Sequence, residues 1–111
     1  MRVINATAHS ITVGNRIYSP SGLIVRAKME SVKVGEIDRV PIIKTIYKSI
    51  IGLEFLTQLA NKGDIVIISR IALTALKEMG EDKKFDFMFA TPGNLQKNLN
   101  QKVKRCRVLV T

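Results

Sequence analysis

The sequence predicts an α+β domain, an antiparallel β-sheet built from hairpins with one firm helix in the C-terminal half. Three observations carry this. Short β-prone runs separated by Gly, Pro, Asn and Ser fill the first half, and residues 69–80 carry the start and stop signals of a helix. Phe85, Phe87 and Phe89 alternate as side chains do along a strand.

At the N-terminus, residues 2–5, Ile11–Val13 and Arg16–Tyr18 are short strands punctuated by Gly14-Asn15 and Ser19-Pro20-Ser21-Gly22, which predicts two tight hairpins in the first 25 residues. From Ile24, Val25, Ala27 and Met29 alternate with Arg26, Lys28 and Glu30. The phase shifts near Ser31 and restarts at Val32 and Val34, so a long half-buried strand with a bulge is expected. Asp38-Arg39 then turns the chain into residues 40–47, a third hairpin. Residues 50–62 fit either a second, short helix or an apolar loop over the sheet, ended by Asn61-Lys62-Gly63. The four consecutive β-branched residues 65–68 predict a central strand buried on both faces. Ser69 is placed to cap a helix over 70–79 that stops at Gly80. A charged loop, Glu81–Lys84, leads to the phenylalanine strand. Thr91-Pro92-Gly93-Asn94 reads as a turn, and residues 103–110 as the last strand.

At 111 residues, with 46% apolar residues and a mean hydropathy of +0.11, the chain makes one domain over residues 1–111 with an ordinary core. Its apolar runs are too short to cross a bilayer and residues 1–10 do not resemble a secretory signal, so no membrane partner and a cytoplasmic location are expected. One cysteine, Cys106, and one histidine, His9, allow no internal disulfide and are too few for a zinc site. Eighteen basic against nine acidic residues give +9, which favours nucleotides, nucleic acids or acidic surfaces as partners. Residues 97–111 are the electropositive segment, with five basic side chains and no acidic one.

Three places suit anion or nucleotide chemistry. A helix start has unpartnered N–H groups at its positive end, so Ser69 and Arg70 form an anion-binding candidate; the plain alternative is a cap beside a solvated arginine. Phe89, Thr91 and Asn94 could stack on a base and read its edge, although phenylalanines in such a strand also build a core. Arg105 and Arg107 share one face of the last strand and suit a phosphate, and Arg26 on the long strand could extend that surface. There is no P-loop, GxSxG, HExxH or CxxC motif, and the chain is expected to be a binder without cofactor, not an enzyme.

The segments Val3-Ile4-Asn5-Ala6-Thr7-Ala8-His9, Pro20-Ser21-Gly22, Gly35-Glu36-Ile37-Asp38-Arg39-Val40-Pro41 and Val66-Ile67-Ile68-Ser69-Arg70 together resemble a family of small phage-borne proteins, the Thoeris anti-defence sponges. These sequester cyclic ADP-ribose-type immune signals without cleaving them. The resemblance implies a homodimer assembling into a hexamer, acting in the cytoplasm of the phage's host, with ligand pockets between subunits. It also implies arginines, an aromatic and an asparagine around the cyclic nucleotide; Arg26, Arg70, Phe89, Asn94, Arg105 and Arg107 are the residues of those types already placed on strand faces or turns. The competing reading is a small basic nucleic-acid-binding protein of a mobile element, and a third is an assembly protein. Only one firm helix and no helix-turn-helix or RNP-type pattern weigh against the nucleic-acid reading.

Overall fold

The computed structural model describes residues 1–93, 104–106 and 108–111. Helices and strands are mixed, as an α+β class requires. Three layers build the body. The middle layer is a four-stranded sheet in the order β1 (Val3–Asn5), β6 (Ile65–Ile67), β7 (Met88–Gly93), β9 (Val108–Val110). On one face lie α1 (Leu53–Leu59) and α2 (Arg70–Glu78). The other face meets a second sheet, β3 (Arg16–Tyr18), β2 (Ile11–Val13), β8 (Lys104–Cys106).

The alternation along β6 explains the layering. Val66 and Ile68 enter a core with Leu56, Leu73, Leu76, Phe87 and Phe89, while Ile67 faces Ile11 and Cys106 on the opposite side. A strand wrapped on both faces must be apolar at every position, which is what four β-branched residues in a row supply. On α2, Ala72, Leu73, Ala75 and Leu76 make one buried stripe. Burying Leu76 alone is worth about 1.5–3 kcal/mol.

Hairpins form at β2–β3 and between β4 (Arg26–Ile37) and β5 (Val40–Ile51), both antiparallel. The central sheet departs from the expected pairing, because β1–β6 and β6–β7 are parallel and only β7–β9 is antiparallel. For β6–β7 the physical reason is α2: a helix that carries the chain back across the sheet delivers the next strand in the same direction. The second early hairpin is absent. Residues 19–22 instead run beside the end of β1, where Pro20 bridges Asn5 and the Ser21 amide donates to the Asn5 carbonyl at 2.9 Å. Thr91, Pro92 and Gly93 are strand, not turn, since β7 continues to pair with β9 through Gly93. The last strand is split between two sheets as β8 and β9, and Glu81–Lys84 winds into a 3-10 turn. α1 resolves the ambiguity of residues 50–62 in favour of a helix.

The long hairpin is a protruding ribbon. Its strands, β4 (Arg26–Ile37) and β5 (Val40–Ile51), turn at Asp38-Arg39, where both residues take positive φ, the conformation a tight hairpin turn demands. Register shifts fall between Lys28/Met29 and Lys33/Gly35, so two irregularities replace the one expected near Ser31. Most of the ribbon is exposed, not half-buried. The radius of gyration, 16.0 Å, exceeds the roughly 13 Å of a compact domain of this length for that reason. At its base Gly52 has φ 97°, and a Cβ there would lie 2.6 Å from the Ile24 carbonyl oxygen. Only glycine permits that approach.

Among the described residues no helix is long and apolar enough to cross a membrane.

Candidate functional site

Asn5, Ile67 and Ala90 are level across the three parallel strands. One residue further, the Ala6 amide donates to the Ile67 carbonyl at 2.9 Å and the Ile68 amide to the Ala90 carbonyl at 2.8 Å. Thr7 and Ser69 therefore emerge together at the carboxyl edge of the sheet, the edge outside which open parallel sheets gather ligands. Ser69 is extended, and its hydroxyl accepts the Ala72 amide at 3.1 Å. That satisfies one orphan donor of α2. The amides of Arg70 and Ile71 have no partner inside a helix, the first turn holds no acidic side chain, and among the described residues no carboxylate pairs with Arg70. A positive helix end, two amides without an intrahelical partner and an exposed Arg70 make this edge able to hold an anion.

The neighbouring loop is held from within. Asn5 is buried, and its Nδ2 donates to the carbonyls of His9 (2.7 Å) and Tyr18 (2.9 Å) while its Oδ1 accepts from the amide (3.0 Å) and hydroxyl (2.6 Å) of Thr7. Every polar function of that amide is used, so Thr7 to His9 is fixed against β2 and β3. Sequence reasoning did not single out Asn5, although an asparagine two residues before a threonine is a known way to close a local turn.

The other anticipated residues scatter. Arg26 opens β4 opposite Ile51; both are exposed, on the face away from the Ala27–Ile50 pair whose Ile50 packs on the core. No hydrogen bond or ion pair among the described residues joins Arg26 to the α2 edge. Phe89 is buried, with its ring centroid 5.6 Å from that of Phe85 and 5.4 Å from that of Phe87. It also lines a cleft of about 240 Å³ with Lys77, Asp82 and Thr111. Thr91 is buried within β7. Arg105 belongs to β8, level with Thr12, and the direction of its side chain is outside what is described. Asn94 and Arg107 lie outside the described residues. Of the eight, the structure brings together Ser69 and Arg70.

Two further groups are perturbed for structural reasons. Asp64 accepts from the Asn61 amide at 2.8 Å and the Arg2 amide at 2.9 Å, and pairs with the Arg2 guanidinium at 3.3 Å. These donors, the Asn61 amide foremost, outweigh its burial and hold its carboxyl below the usual range. Burial pushes the Cys106 thiol up against a weaker opposing pull from the Val108 amide, so it is an inert core group. Comparison of the chain with protein-family models, curated proteins and solved structures gives no match.

Proposed function

We propose that this chain binds and sequesters a small cyclic nucleotide without cleaving it, in the manner of the anti-defence sponges it resembles. The single observation that supports the reading is the α2 start: Ser69 spends its hydroxyl on one amide and leaves two others beside Arg70, which has no ion-pair partner among the described residues, with no acidic side chain in that turn. Phosphate oxygens accept from such amides, and a guanidinium adds a charge-assisted pair. In this reading Arg26, Arg105, Arg107 and Asn94 complete a pocket between copies, in a dimer that assembles into a hexamer.

The test is incubation with a panel of cyclic ADP-ribose isomers and cyclic oligonucleotides, removal of free ligand, heat denaturation and mass analysis of what is released. Intact nucleotide is the expected product. Linear product would instead make the protein an enzyme. Retention of duplex DNA alone, falling steeply with salt, would favour the nucleic-acid reading.

A further inference from the structure

The β4–β5 ribbon is a two-stranded sheet with both edges unpaired among the described residues. Met29, Val34, Ile37, Val40, Ile43 and Ile46 on it are each 41–63% exposed. A lone two-stranded ribbon is marginal in water, and apolar exposure on this scale marks a contact surface. Charge identifies the edge and the occupant. Along β4 the charges are of both signs, with Arg26 and Lys28 at the base, Glu30 and Lys33 in the middle and Glu36 toward the Asp38-Arg39 turn, whereas β5 carries only Lys44 and Lys48 and is blunted by Pro41. Lysine and proline are how edge strands resist pairing. We infer that the ribbon joins a second copy of this chain through antiparallel β4–β4 pairing, giving one four-stranded sheet.

Antiparallel pairing sets Arg26 and Lys28 of each β4 alongside Glu36 of the other, and brings Glu30 of each toward Lys33 of the other. The same pairing between two β5 strands would set lysine against lysine. Within one copy Glu36 meets Lys33 at 3.2 Å, but both are half exposed, and such a pair is weak enough to be shared. Twelve residues of strand span about 40 Å. Two ribbons laid side by side bury on the order of 1,000 Å², the scale a specific interface needs. The inference rests on the homo-oligomer part of the proposed function and not on its ligand, so assembly is read with no nucleotide present.

Sedimentation of the full chain, of Lys28→Glu and of Glu36→Lys tests it, with circular dichroism confirming that each variant is folded. The wild type is expected to dimerise at micromolar concentration. Each variant alone should dimerise roughly threefold to tenfold more weakly, and an equimolar mixture of the two should recover mixed dimers of wild-type strength. A wild type that stays monomeric throughout the micromolar range would overturn the inference. So would variants that assemble as the wild type does, or a ribbon that engages duplex DNA in place of a second copy.

Discussion

The Ser69 hydroxyl lies 3.1 Å from the Ala72 amide, and this one hydrogen bond divides the start of α2 into a capped donor and two uncapped ones. Stability and binding are separable there. Ser69→Ala should cost about 1 kcal/mol, read as a lower urea midpoint at constant slope. Arg70→Ala, which removes an exposed side chain with no ion pair among the described residues, should leave the melting temperature almost unchanged.

Asn5 supplies four hydrogen bonds from a buried position. Asn5→Ala strands the His9 and Tyr18 carbonyls and the Thr7 donors, and should cost roughly 2–4 kcal/mol in chemical denaturation. Asn5→Asp should also destabilise, because a carboxylate cannot donate to two carbonyls.

Asp64 gives a pH dependence of defined sign. Its carboxyl is held below the usual value of about 3.9 in the folded chain, so it stabilises the fold above that value and loses the contribution as pH falls through its folded pKa. Asp64→Asn should be less stable than wild type at pH 7. The gap should narrow as denaturation curves are repeated down toward pH 2.

Phe89 distinguishes core from stacking surface. As one of three mutually packed rings, it should cost about 3–5 kcal/mol on replacement by alanine. An unchanged melting temperature with lost nucleotide retention would assign the ring to the ligand instead.

The elements were legible in the sequence wherever local chemistry decides them. Ile11–Val13, Arg16–Tyr18, the Asp38-Arg39 turn, the Ser69 cap and the doubly buried residues 65–68 follow from turn residues, β-branching and capping. What was not legible is non-local. Parallel pairing of Val3–Asn5 with Ile65–Ile67 joins residues about sixty apart, and no local propensity records it. Thr91-Pro92-Gly93 has turn composition, yet Gly93 lies in a strand because its missing Cβ lets Val110 approach; a Cβ would meet the valine Cγ2 at 2.6 Å. At the site, Ser69 and Arg70 were readable as a helix start, whereas Asn5 was not, since its partners come from two other strands.

The most direct measurement is the rise in melting temperature produced by cyclic ADP-ribose isomers, compared between wild type and Arg70→Ala. Ligand at a hundred times its Kd stabilises the folded state by about 2.7 kcal/mol, which for a domain of this size is about 10 °C or more. The wild type should show that rise with at least one isomer, and Arg70→Ala should lose most of it while its ligand-free melting temperature stays put. An equal rise in both proteins, or none in the wild type with any cyclic nucleotide, would contradict a nucleotide site at the start of α2.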